Sequence, residues 1–140
     1  MKINTEHLDR CVGTLKGAWD GLQECEPGEM LYEIYLAACV NEFELVQEQS
    51  GRLLKRRLRP YFASNRQADE LDFNDIFRYA SKHCLIDDQA CERWLAYRAC
   101  RNETAYEFGE HYAERTLALL PQFIVDVEAL SRVKEEGGSG

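Results

Sequence analysis

Pro27 and Pro60 bracket the segment that most limits what this chain can fold into. From Glu29 to Leu58 there is no proline, and apolar residues recur at three- and four-residue steps. Leu31, Ile34, Ala38 and Leu45 form one stripe, and Tyr32, Leu36, Cys39, Phe43 and Leu54 form a second. That period is helical. Two stripes on one helix require contacts on more than one side, which suits an inner bundle helix or one that also meets a second subunit. Ser50-Gly51 adds a small-residue patch where another backbone could approach closely.

The remaining elements follow from the same pattern. A first helix is expected from about Thr5 to Glu24, with Leu8, Cys11, Val12, Leu15, Trp19 and Leu22 on one face and Glu26-Pro27-Gly28 as the breaker. Residues 60–71 read as a connecting loop. Asp72 is the expected N-cap of a short helix carrying Phe73, Ile76, Phe77 and Ala80, and Asp87-Asp88 caps a further helix with Cys91, Trp94, Leu95 and Arg98 inward. The last helix should start near Gly109 and end near Lys134, with Ala113, Leu117, Leu120, Ile124, Val127 and Leu130 as its stripe. Pro121 falls inside that stripe and predicts a kink, because the periodicity resumes at once. No alternating period is long enough for a sheet. The expected fold is all-α, an up-and-down four-helix bundle with one short extra helix. A single domain is expected over residues 1–134, followed at 135–140 by a flexible tail of linker composition.

At 140 residues the chain can bury one real core but not two. Its six cysteines show no C-x-x-C spacing, and its three histidines never join them at ligand spacing, so neither a metal site nor a cofactor is expected. The opening Met-Lys-Ile-Asn-Thr-Glu-His has no apolar h-region, and no apolar run is long enough to cross a bilayer. A cytoplasmic protein with reduced thiols and no membrane association is the expectation.

The formal net charge is −8, which disfavours nonspecific nucleic-acid binding, since phosphate contacts need clustered cations. One island runs the other way: Arg52, Lys55, Arg56, Arg57 and Arg59. These cations either complement the C-terminal end of a helix macrodipole or face a phosphate. A second basic feature is Arg98-Ala-Cys-Arg101-Asn102-Glu103-Thr104-Ala105-Tyr106-Glu107-Phe108-Gly109. Helical spacing places Arg98 and Arg101 beside Cys91 and Trp94, so a guanidinium approaches an apolar face and needs an anionic partner or a ligand. Glu44, Glu48 and Glu110 are the candidate partners. If a ligand is bound instead, Arg98, Arg52, Lys55 and Arg56 are the candidate contacts to RNA or phosphate.

The order Cys84-Leu-Ile-Asp-Asp88, Arg93-Trp94-Leu95-Ala-Tyr97-Arg98 and Arg101-Asn102-x-Thr104-Ala105 resembles the HEPN family, in its nucleotidyltransferase substrate-binding branch. Phe43-Glu44-Leu45 with Glu48-Gln-Ser50-Gly51, and Tyr61-Phe62-Ala63-Ser64, extend the resemblance over about residues 30–133. The family signature, R-N-x-x-x-H-x-Y, begins here at Arg101-Asn102, but Tyr106 stands at the His position and Phe108 at the Tyr position. The resemblance implies a homodimer whose paired motifs form a metal-independent RNA-cleaving cleft, with Arg on the scissile phosphate and His moving the proton. It also implies a minimal nucleotidyltransferase partner, which in toxin–antitoxin pairs attaches AMP to the motif Tyr.

Both departures bear on that chemistry. An imidazole with a pKa near ~6.5 exchanges protons at neutral pH, whereas a phenol near ~10 does so poorly. Phe108 has no oxygen to accept a nucleotidyl group; Tyr106 and Tyr112 are the nearby phenols. His111 lies too far past Arg101 to complete the motif. Three functions follow as expectations: a homodimeric binding subunit of a minimal nucleotidyltransferase, a ribonuclease with a degenerate motif, and a helical adaptor that shares the fold alone. The first is favoured by the missing histidine.

Overall fold

The computed structural model describes the backbone of residues 5–104 and 109–138, and the side chains of residues 5–101 and 112–132. Four long helices, α1 (Glu6–Gln23), α2 (Met30–Leu58), α5 (Asp88–Thr104) and α6 (Gly109–Gly138), form the bundle. Two shorter ones, α3 (Asn65–Asp69) and α4 (Phe73–Lys82), lie between α2 and α5, and Arg59–Tyr61 makes a 3-10 turn after α2. No strand occurs among the described residues. α2 packs against α1, α4 and α6, while α5 lies between α4 and α6.

The expected loop at 60–71 contains structure of its own. Ser64 accepts a hydrogen bond from the Gln67 amide at 3.1 Å and starts α3, and the Gln67 side chain returns to the Ala63 amide. This arrangement is a variant of the capping box, with Gln at the third helical position returning to the amide just before the N-cap instead of to the N-cap itself. The short span and absence of an apolar stripe hid it. Asp72 and Asp87 cap as expected, accepting from the Asp75 and Ala90 amides at 2.8 and 2.6 Å. α6 continues through Pro121 and runs to Gly138, past the expected end near Lys134. Val133-Lys134-Glu135-Glu136 contains no breaker, so backbone hydrogen bonding persists into the glycines.

The core is organised around five buried aromatic residues. Phe43 of α2, Phe77 of α4, Trp94 and Tyr97 of α5 and Phe123 of α6 are each at most 2% exposed. Their rings pack edge-on or stacked, with Phe77–Trp94, Phe43–Phe123 and Tyr97–Phe123 centroids 4.7, 4.8 and 4.9 Å apart. Such pairs add about 0.5–1.5 kcal/mol each beyond burial. α1 contributes Leu8, Val12, Leu15, Ala18 and Leu22, all buried. Gly21 lets the Tyr35 ring lie against the α1 backbone, since a Cβ there would fall 2.5 Å from the ring. Ser50-Gly51 is buried too, but what approaches it is the Phe73 ring rather than another backbone.

One buried charge ties the helices together. Asp126 is 5% exposed and accepts from Arg93 Nε and Nη2 at 2.8 and 2.9 Å, from the Tyr97 hydroxyl, and from Gln122 at 3.2 Å. Burial, then the bond to Asp126, pushes the Tyr97 phenol well above its ordinary pKa. None of the described cysteines forms a disulfide, and burial alone raises the Cys39 thiol to about 11, as suits a small apolar side chain.

α4 ends in a Schellman motif: Leu85 N–H donates to the Ala80 carbonyl at 2.8 Å and Cys84 N–H to Ser81 at 3.0 Å. Cys84 takes the left-handed position, φ 61°, that glycine usually fills. We expect Cys84→Gly to stabilise the fold by roughly 0.5–1 kcal/mol, because it relieves left-handed strain partly offset by glycine's unfolded-state entropy. Asp126→Ala should have the opposite sign and cost about 2–4 kcal/mol, by leaving Tyr97 and Arg93 without their acceptor. Urea unfolding midpoints at unchanged slope check both.

Candidate functional site

Arg98 and Arg101 stand one turn apart on α5, and Glu44 and Glu48 one turn apart on α2. The two pairs face each other across the helix crossing. Arg98 Nη1 donates to Glu48 Oε1 at 2.8 Å, Arg101 Nη1 donates to the same oxygen, and Arg101 Nε lies 3.4 Å from Glu44 Oε1. Both guanidiniums are about one-quarter exposed, so the cluster lies at a rim. The Arg98 guanidinium also lies 4.6 Å from the centre of the Phe73 ring, a cation–π contact. Since Phe73 lies against Gly51, that glycine seats the ring on which Arg98 rests.

Burial alone would raise the Glu48 carboxyl, but hydrogen bonds and charge from Arg98 and Arg101 outweigh it and hold it below its ordinary value. Glu48 therefore stays ionised beside the arginines at neutral pH. Tyr112 of α6 belongs to the same neighbourhood. Burial first, and then the charge of Glu44, push its phenol well up, while Arg101 acts in the other direction. A buried, reluctantly ionised phenol is a poor acceptor for group transfer.

The ion pairing expected for Arg98 and Arg101 is thus made with Glu44 and Glu48; the Glu110 side chain lies outside the described residues. The Asn102 side chain, Tyr106, Phe108 and the His111 side chain also lie outside them. The cationic island at the end of α2 divides. Lys55 donates to the Asp69 carbonyl, Arg59 pairs with the Asp69 carboxylate at 3.1 Å, and Arg57 is half-buried. Arg52 and Arg56 point outward and make no ion pair among the described residues. Lys55, Arg56 and Arg57 do occupy the last turn of α2, where the macrodipole favours cations. Sequence reasoning missed the Tyr97–Asp126–Arg93 network and the place of His7 beside Arg52, since neither follows from spacing within one helix.

No group of three or more His, Cys, Asp or Glu positioned to hold a metal ion occurs among the described residues. Nor is any described helix long and apolar enough to cross a membrane.

Comparison with known proteins identifies the family. The family model described as "nucleotidyltransferase substrate binding protein like" matches residues 4–135. A protein from Haemophilus influenzae described as a probable ribonuclease HepT is 28% identical over 97 residues, covering 69% of this chain and 65% of that protein. The match therefore spans just under two thirds of the relative's length. A solved structure from the same organism, described as revealing the fold of a substrate binding domain of a nucleotidyltransferase, superposes with a TM-score of 0.79. It shares 24% identity, with 94% of this chain and 99% of that one covered, and establishes the shared helical fold. The chain belongs to the nucleotidyltransferase substrate-binding protein family, the HEPN-type helical branch that its sequence resembles.

Proposed function

We propose that this protein is the binding subunit of a minimal nucleotidyltransferase, acting as a cytoplasmic homodimer in a toxin–antitoxin-like pair. The observation that carries the reading is the family match over residues 4–135, to a model whose description is substrate binding for that enzyme class. The motif supports it: Arg101 is present, Tyr106 replaces the proton-transferring His, and Phe108 removes the hydroxyl. Losing general acid–base catalysis costs about 10²–10⁴-fold, so binding is the function the residues retain. The outward face of α2 supplies a surface for a partner. Leu31 and Ile34 are each 54% exposed and Leu45 37%, all on the stripe that a second contact was expected to cover. A row of large apolar side chains in water is a feature of interaction surfaces.

The ribonuclease reading is favoured by a different observation, the resemblance to a probable ribonuclease. In that reading Arg98 and Arg101 hold an RNA phosphate after Glu48 yields its place.

Two experiments test these readings. Sedimentation of the purified protein with a minimal nucleotidyltransferase should give a stable complex, and Ile34→Asp/Leu45→Asp should weaken self-association or that complex at least tenfold. A wild-type chain that neither self-associates nor binds the enzyme overturns the proposal. RNA cleavage by the wild type should be negligible, and Tyr106→His/Phe108→Tyr should restore it in a form that Arg101→Ala abolishes. Cleavage by the wild type that is lost in Arg101→Ala would move the enzyme reading to first place.

A further inference from the structure

Two surface clefts flank α1, and their linings differ in charge. Between α1 and α6, a cleft of about 360 Å³ carries the cations Lys16 and Arg132 together with the carboxylates Asp9 and Glu128. Lys16 and Glu128 are 3.4 Å apart, and Asp9 accepts from Ser131 at 2.7 Å. That cleft is electrically balanced by its own residues.

The other, of about 290 Å³, lies between the start of α1 and the last turns of α2. Arg52 and Arg56, one turn apart on α2, line it with Gln49, His7 and Thr5, over a floor of Leu8 and Leu53. No carboxylate among the described residues lines it, in a chain with 25 acidic and 17 basic residues. The acidic groups of the adjoining turn of α1 are engaged elsewhere: Glu6 pairs with Arg10, and Asp9 accepts from Thr5 and Ser131. Glu42, whose carboxyl is raised by burial and lowered in part by the charge of His7, does not line the cleft. Arg52 and Arg56 keep their guanidiniums exposed and make no ion pair among the described residues, whereas Arg98 and Arg101 are bound to Glu44 and Glu48.

From this arrangement we propose a phosphoryl-binding site in the Arg52–Arg56 cleft, distinct from the Arg98–Arg101 cluster. Two guanidinium forks at the mouth supply charge-assisted and bidentate hydrogen bonds to phosphate oxygens. The Gln49 amide and the His7 imidazole add neutral or cationic donors, while the Thr5 hydroxyl is spent on Asp9. The volume is ample for one or two phosphoryl groups. Lys55 takes no part, because it is turned to Asp69. Arg52 makes no ion pair with Glu48, whose carboxylate is taken by Arg98 and Arg101, so a phosphate here need not displace that carboxylate. The site needs neither RNA cleavage nor the nucleotidyltransferase partner, and its test is independent of both.

The phosphate can belong to an RNA backbone or to a free nucleotide, and the test separates them. Calorimetric titrations with pyrophosphate, ATP and a short single-stranded RNA would be run on the wild type, Arg52→Gln/Arg56→Gln, Gln49→Leu and Arg98→Gln. We expect the Arg52/Arg56 pair to lose at least tenfold in pyrophosphate affinity with an unchanged thermal midpoint, since both side chains are exposed. Gln49→Leu should lose severalfold, and Arg98→Gln should bind pyrophosphate as the wild type does. ATP tighter than RNA assigns the site to nucleotides. RNA tighter than ATP, with a salt slope that falls in the Arg52/Arg56 variant, assigns it to a nucleic-acid backbone. Wild-type protein that binds none of the three at millimolar concentration overturns the proposal, as does equal affinity in the Arg52/Arg56 variant.

Discussion

The orientation of α5 depends on the buried carboxylate of Asp126. A single carboxyl group on α6 gathers the Arg93 fork and the Tyr97 hydroxyl, which fixes the face that α5 turns to the bundle. With Tyr97 facing inward between Phe43 and Phe123, Trp94 one turn before it stacks on Phe77. Arg98 and Arg101, on the next turn, then emerge opposite Glu48. A buried charge is tolerated only when its lone pairs are filled, and here four hydrogen bonds fill them. The arginine cluster at the rim therefore inherits its aim from a network buried beneath it. Gln47 of α2 adds a second tether, donating to the Tyr97 carbonyl at 3.4 Å.

Much of this was legible in sequence, for reasons that can be stated. The helical stripes of α1, the inner face of α2 and the stripe of α6 were readable because each buries one continuous face at a fixed period. The Asp72 and Asp87 caps were readable because a short acidic side chain before an apolar run has one local use. α3 was not, since five residues carry no period and its signal is only Ser64 followed by Gln67. Tyr97 and Phe123 are not marked by the helical period because each lies beside, rather than within, the apolar stripe of its helix; the core reaches them from two directions at once. The Asp126 network links residues 93, 97 and 126 across two helices, and nothing local marks such a triad.

At the candidate site the same distinction holds. Apolar surroundings on α5 implied that Arg98 and Arg101 need an anion, and spacing on α2 offered Glu44 and Glu48. What spacing could not supply is the degree of commitment: both arginines converge on one Glu48 oxygen. Nor could a run of cations at residues 52–59 reveal that it divides three ways, into half-buried Arg57, Lys55 and Arg59 bound to Asp69 of α3, and outward-facing Arg52 and Arg56. Side-chain direction along a helix changes by about 100° per residue, so adjacent charges in sequence serve different surfaces.

The outer face of α2 connects these observations. Leu31, Ile34, Ala38, Leu45, Arg52 and Arg56 fall on a common side of the helix, opposite the buried Phe43 and Leu54. That side is apolar over its first half and cationic at its end. The apolar half suits a dehydrated protein contact, because large aliphatic side chains gain most when water is removed. The cationic end does not, because burying two unpaired guanidiniums costs more than their stems return. A partner seated on Leu31, Ile34 and Leu45 would therefore either bring carboxylates to Arg52 and Arg56 or stop short and leave their cleft in water. The second arrangement leaves a phosphoryl site open at the edge of a protein interface, where a ligand and a partner can be sensed by one helix.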